Sequence, residues 1–362
     1  MLFNKILKIT FITLLLIVLY ACDKNKTLEI NGLKANAEFP IGTAIKIETL
    51  NADFELQDLQ KSNFNSITSA SDMKMNRITE SEGVYNWSRI DGILNYAQNN
   101  NQRLFGHNLI WHSSTPKWVE EKALKDTLWL AGFMKEYITT YVSRYKGKVA
   151  GWDVVNEAFE SAGGAMRETI WYSVMGKDYI AKAFTYAHEA DSNAVLFYND
   201  FNIERDTLKL NATLKLIEDL RAENVPIHGL GFQMHIRMDI PDEVIANALK
   251  KAADTGLKIH LSEVDIIFNT HNDTQYGGEQ IYTELTTDMK KAQAEKYKNL
   301  VKMYRSIVPK AQQYGITFWD FTDRDSWIDG FFSITDWPTI YDDNLQPKPA
   351  YFGVLEGLKE EL

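Results

Sequence analysis

The 362-residue chain predicts a single-domain (β/α)8 barrel, the TIM-barrel architecture, on three observations. Short apolar runs alternate with amphipathic segments eight times. The polar residues that interrupt the third to eighth of those runs fall late in each one. The glycine-rich first turn of a doubly wound open sheet is absent.

The first 21 residues precede the fold. Lys5 and Lys8 make a positive start, and residues 9–19 are almost wholly apolar, too short for a comfortable membrane span. The segment therefore reads as a secretory signal. It ends in Leu19-Tyr20-Ala21-Cys22, which resembles a bacterial lipobox and marks Cys22 for lipidation. Residues 22–36 are polar and read as a tether, leaving residues 37–362 as the folded domain.

The eight runs are Phe39–Ile45, Phe64–Ala70, Arg103–Trp111, Val149–Phe159, Ala194–Phe201, Ile227–Ile236, Lys258–Ile266 and Gly315–Asp323. Between them the period changes to that of a helix. In 128–146 the residues Leu130, Phe133, Met134, Tyr137, Ile138, Tyr141 and Val142 form one buried stripe. Leu210, Leu214, Ile217 and Leu220 do the same in 207–224. A barrel of this kind places catalytic groups at the C-terminal ends of its strands. That is where His107, Trp111, Asn156, Glu157, Asn199, Asp200, Gln233, His235, Glu263, Asp265 and Trp319 occur.

Two of these define the chemistry. Glu157 and Glu263 each close a run that reads as a buried strand, where an acid costs desolvation and adds nothing to packing. Strands 4 and 7 lie roughly opposite across a barrel mouth, so the two acids can flank one bond. A glycosidic bond needs a proton on its leaving oxygen and electron density at its anomeric carbon. Two carboxyls about 5–5.5 Å apart supply both, with retention of configuration.

The bulk properties narrow the partners. Cys22 is the sole cysteine, so the domain is held by its core and not by disulfides. Loss of Lys5 and Lys8 with the signal takes the formal charge from −10 to −12. An acidic chain without a basic tract excludes nucleic acid as the expected partner. His107, His112, His235 and Asp265 lack metal-ligand spacing, so neither metal nor cofactor is expected. Nothing demands more than a monomer.

The chain resembles a glycoside hydrolase family 10 β-1,4-xylanase from residue 39 to 360. The resemblance is carried, in order, by 64–68 (FNSIT), 106–113 (GHNLIWHS), 152–157 (WDVVNE), 198–200 (YND), 229–235 (GLGFQMH), 262–265 (SEVD), 323–327 (DRDSW) and 342–351 (DDNLQPKPAY). It implies that Glu157 is the acid/base and Glu263 the nucleophile. Asn156 would bond the 2-hydroxyl of the attacked sugar, and His235 with Asp265 would position the nucleophile. Lys74, His107, Trp111, Gln233, Trp319 and Trp327 would contact the substrate, with Tyr198 and Asn199 toward the leaving group. Trp152 reads as barrel packing, and Trp118 and Trp337 as either sugar platforms or loop anchors. Asp153 and Glu160 are expected to face away from the acid they flank.

The chain departs from the family pattern near strand 2. Where the family carries Thr-Pro-Glu-Asn-x-Met-Lys-Trp, residues 68–75 read TSASDMKM. Ala70 and Ser71 replace the Glu and Asn that hold the xylose two places from the cleavage point. Ser114 replaces a Gln, and Asp320 a Gly. Losing both grips without replacement would remove about two to three powers of ten in kcat/KM on plain xylan. The expected function is thus hydrolysis of internal xylosidic bonds, in plain or decorated xylan, by a lipoprotein of the cell envelope. The alternatives are action on another β-glycan or from chain ends, and a surface glycan-binding lipoprotein that hydrolyses weakly or not at all.

Overall fold

The computed structural model describes residues 32–272 and 277–361. The expected signal peptide, Cys22 and the tether up to residue 31 lie outside the described residues. Eight parallel strands close on themselves: β1 (Ile41–Ile45), β2 (Ser66–Ser69), β3 (Arg103–Trp111), β4 (Gly151–Asn156), β5 (Val195–Asp200), β6 (Gly229–Phe232), β7 (Lys258–Ile267) and β8 (Gln313–Phe318). Each pairs with the next, and β8 pairs with both β7 and β1. The expected (β/α)8 barrel is therefore the observed fold. Its strands are legible as apolar runs because helices cover their outer face and side chains fill the inner one.

The principal helices of the outer ring are α1 (Phe54–Asn63), α2 (Ser88–Asn99), α3 (Thr127–Arg144), α4 (Asp178–Ala190), α5 (Thr207–Ala222), α6 (Asp242–Ala253), α7 (Thr287–Ile307) and α8 (Pro349–Lys359). All seven apolar residues of the expected stripe on α3 are buried. Asp126 caps α3 by accepting from the Trp129 amide, and Asp206 caps α5 by accepting from Leu208 and Lys209. On α5, Leu214 is only partly covered while Leu210, Ile217 and Leu220 are buried.

Below the mouth the barrel is plugged by rings. Phe105, Phe197, His260 and Tyr314 meet edge-on or tilted, with Phe197 and Tyr314 centroids 4.6 Å apart. Arg103 lies 4.3 Å over the Tyr314 ring and donates to its carbonyl. The interior is a packed core, and the mouth is the place left for a ligand.

Two boundaries differ from the sequence expectation. Residues 33–36 form a 3-10 turn that packs on the barrel: Leu33 is fully buried, and its amide donates to Asn63 Oδ1. The folded part therefore starts by Gly32, because one leucine in the polar stretch finds a core pocket. The run 227–236 is broken at Gln233–Met234, and His235–Arg237 resumes beside β7 with His235 opposite Asp265.

Candidate active site

An open cleft of about 630 Å³ occupies the C-terminal mouth of the barrel, lined by side chains on or just after all eight of its strands. Glu157 and Glu263 both reach it, as do Lys74, His107, Trp111, Asn156, Gln233, His235, Trp319 and Trp327. The strand ends are irregular here. Register shifts fall between His107 and Ile110, between Asp153 and Val155, and between Leu261 and Val264. Such bulges re-aim side chains out of the alternating pleat. Glu157, Asn202, Met234 and Asp320, which follow β4, β5, β6 and β8, have left-handed φ of 56–62°. That conformation is costly for a residue with a Cβ and persists where the surroundings impose it.

Glu263, at the mouth end of β7, is gripped from two sides. Its Oε1 accepts from Asn199 Nδ2 at 2.8 Å, and its Oε2 lies 3.5 Å from His235 Nε2. Asn199 is fully used: the same Nδ2 donates to Asn156 Oδ1 at 2.9 Å, and its Oδ1 accepts from Ser262 Oγ at 2.6 Å. Gly231 makes room for it, since a Cβ there would sit 2.2 Å from Asn199 Oδ1. Behind His235, Asp265 Oδ2 lies 2.9 Å from its Nδ1 and also accepts from the Trp327 indole at 2.8 Å. On the other flank, His107 Nδ1 lies 2.9 Å from Asp153 Oδ2 and 3.9 Å from Glu263 Oε1.

These neighbours set the charges. Burial alone would raise the Glu263 carboxyl, but His107, His235 and Lys74 outweigh it and hold it below the usual glutamate value. Burial opposes a charge on His235, yet Asp265 and Glu263 push it up to about 10. Burial pushes Asp153 up to about 6 against the pull of His107. Glu263 is therefore an anion facing a cationic imidazole.

Glu157 is held differently. Its Oε1 accepts from Asn156 Nδ2 at 3.2 Å and from Gln233 Nε2 at 3.1 Å. Its backbone amide donates to Asn199 O, which fixes the turn after β4. Two donors on Oε1 leave Oε2 as the oxygen to carry a proton toward the cleft. Lys74 Nζ lies 4.6 Å from the Trp111 ring and 5.8 Å from that of Trp319, a cationic edge on an aromatic wall.

Two placements differ from the sequence expectation. Tyr198 does not reach the cleft; it is fully buried, donating to Asp200 Oδ2 at 2.5 Å and accepting from the Ala158 amide. Asn199 is likewise buried and bonds the Asn156 carboxamide and the Glu263 carboxylate. Asp153 does not line the cleft beside Glu157; it is the partner of His107, because β3–β4 register sets the two opposite each other. Trp152 is core, and neither Trp118 nor Trp337 lines the cleft; Trp118 packs on Trp129 and Phe133. Lys46, Arg167, Phe201, Phe331 and Phe332 also line the cleft without having stood out as site residues: Lys46 and Arg167 lie outside helix and strand, Phe201 closes the fifth apolar run, and Phe331 and Phe332 end the short helix Trp327–Phe332.

Proteins of known description share this frame. The chain is 35% identical over 356 residues to endo-1,4-beta-xylanase A of Cellvibrio japonicus, covering 91% of this chain and 56% of that protein. It is 33% identical to endo-1,4-beta-xylanase B of Paenibacillus barcinonensis, covering 90% of this chain and 98% of that protein. Several curated relatives are longer, and the chain spans 31–57% of four of them. A GH10 structure from Paenibacillus barcinonensis superposes with a TM-score of 0.83 at 34% identity, covering 90% of this chain and 97% of that one. Xylanase 10C of Cellvibrio japonicus, solved as a mutant with xylopentaose, superposes with a TM-score of 0.84 at 32% identity, covering 91% and 69%. The family model described as glycosyl hydrolase family 10 matches residues 31–357, nearly the whole described fold, and the chain belongs to that family.

Proposed function

We propose that the protein is a retaining endo-β-1,4-xylanase that cleaves internal xylosidic bonds by double displacement. The observation that carries the reading is the pair of glutamates in one cleft, with unlike surroundings. Glu263 is stripped of solvent and held as an anion by flanking cationic groups, while Glu157 keeps one oxygen free for a proton. In the first step Glu157 Oε2 gives its proton to the glycosidic oxygen as Glu263 attacks the anomeric carbon, so the leaving chain departs and a glycosyl ester forms. Esterification removes the negative charge from the pocket. Glu157, now a carboxylate, then takes a proton from water as that water attacks the same carbon and releases Glu263.

Asn156 and Gln233 line the cleft beside Glu157, and each donates an amide N–H to its Oε1. Their contacts suit a sugar whose hydroxyls must be held while the ring flattens. Xylan is the substrate that fits the relatives named above, plain or carrying side groups near Ala70. A pure glycan binder is disfavoured because binding has no use for an ionised nucleophile backed by a buried His–Asp pair.

The test is a panel of xylans, β-glucans and algal polysaccharides with product analysis. Internal cleavage of xylan with Glu263→Gln inactive but still able to bind is the expected result. A Glu263→Gln variant with wild-type hydrolysis would refute the mechanism, and products from another glycan alone would refute the substrate.

We also propose that Cys22 carries a lipid that holds the enzyme at the cell envelope. In that case Cys22→Ser moves the expressed protein from the detergent phase to the aqueous phase. Equal partition of both forms would remove the anchor.

A further inference from the structure

Asp320 is a carboxylate without an evident structural purpose. It follows β8 and Trp319, is 5% exposed, and adopts a left-handed φ of 58° that a glycine would hold without cost. Its Oδ2 is enclosed and accepts no hydrogen bond; the nearest cation, Lys46 Nζ, stands 4.0 Å away and also reaches Asp325 O. A buried acid normally has donors or a paired charge close enough to repay its desolvation. Asp320 has neither, yet it lines the same cleft as the catalytic pair.

Its position supplies a purpose. Ala70, at the end of β2, packs with Ala44 and Trp319 in one small cluster, so Ala70 and Asp320 share a wall of the cleft. Ala70 offers no polar atom there, and Lys46 and Lys74 offer only donors. A sugar ring carries hydroxyls that must donate as well as accept. Among the described residues of this wall, the acceptor presented from a buried side chain is the Asp320 carboxylate.

We propose that Asp320 is the residue that recognises the glycone sugar one place beyond the attacked one, accepting its ring hydroxyls from the β8 side of the wall that Ala70 leaves without an acceptor. The inference rests on the xylan reading of the cleft and deepens it. The ligand it fits is a neutral pyranose with free vicinal hydroxyls. A uronic acid at that ring would bring a second carboxylate against Asp320 and is rejected, so acidic decorations are tolerated only on other sugars. Burial pushes the Asp320 carboxyl up to about 7 with Lys46 opposing, which is how an acid behaves while its partner is absent.

The experiment compares 4-nitrophenyl β-xylobioside, which fills the proposed subsite, with 4-nitrophenyl β-xyloside, which does not. Asp320→Gly removes the carboxyl and suits the left-handed backbone, so the variant keeps its fold. Its kcat/KM on the xylobioside is expected to fall about 10-fold further than on the xyloside. A role confined to structure would lower both together, and equal falls, or none, overturn the proposal. In Asp320→Gly with Ala70→Glu, an acceptor returns to the same wall from the end of β2 and the ratio recovers. A double variant no better than Asp320→Gly overturns the shared wall. Wild-type protein inert on both glycosides but active on another glycan would sink the xylan reading and this one together, whereas active wild type with an unmoved ratio sinks this one alone.

Discussion

The floor of the cleft and the wall beside Ala70 stand on the same barrel, yet they bury polar groups in opposite ways. On the floor every oxygen of Glu263 has a neighbour, Asn199 spends both ends of its amide, and two His–Asp pairs flank the carboxylate. On the wall, Asp320 has an enclosed oxygen with no donor and a lysine only at ion-pair distance. A satisfied network is pre-organised and resists change; an unsatisfied acid is a cost carried until something binds. Under the proposals above, the floor breaks the bond and the wall selects the chain.

Removing Asn199 is the largest way to break the comparison. Asn199→Ala strips Glu263 Oε1 and Asn156 Oδ1 of a donor and leaves Ser262 without an acceptor. Hydrogen bonds to a charged group are worth roughly 1.5–3 kcal/mol, so kcat should fall about 10–10²-fold with little change in KM. Steady-state kinetics on xylan checks this. A loss seen mainly in KM would mean that Asn199 meets the sugar after all, and that floor and wall are not distinct.

The floor was largely legible in the sequence and the wall was not, for physical reasons. Acids such as Glu157 and Glu263 at the ends of apolar runs stand out because burial there is costly. Strands β1 to β8 stand out because parallel strands covered on both faces read as continuous apolar runs. Pairings across strands do not. That Asp153 backs His107 depends on β3–β4 register and on a bulge just past each residue, neither of which leaves a trace in one sequence. Tyr198 misleads for a related reason: its hydroxyl can end in a cleft or on a buried partner, and here Asp200 and the Ala158 amide capture it. Leu33 was hidden by its polar neighbours, although one buried leucine is enough to pin the start of the fold. Asp320 was visible only as a departure from the family pattern. Its meaning needed the cluster of Ala44, Ala70 and Trp319 to place it.

The smallest effect is on stability, and it has a pH signature that activity data lack. A carboxyl ordinarily near 3.8 is pushed by burial to about 7 at Asp320, with Lys46 pulling the other way. The folded state therefore holds a proton that the unfolded chain has released, and the residue's contribution to stability is greatest below pH 4 and is lost as pH rises toward 7. An asparagine side chain is a poor mimic of the anion but a close one of the neutral acid, so Asp320→Asn should match wild type near pH 4 and exceed it above pH 7. The gain is roughly 2–4 kcal/mol at most, read as a rise in Tm that grows between those limits. A pH-independent shift would trace instead to the left-handed backbone, which Asn tolerates better than most residues. Saturating xylo-oligosaccharide offers the sharper contrast. If sugar hydroxyls supply the missing donors, the ligand stabilises wild type more than the variant, and above pH 7 the order of the two melting temperatures narrows or reverses.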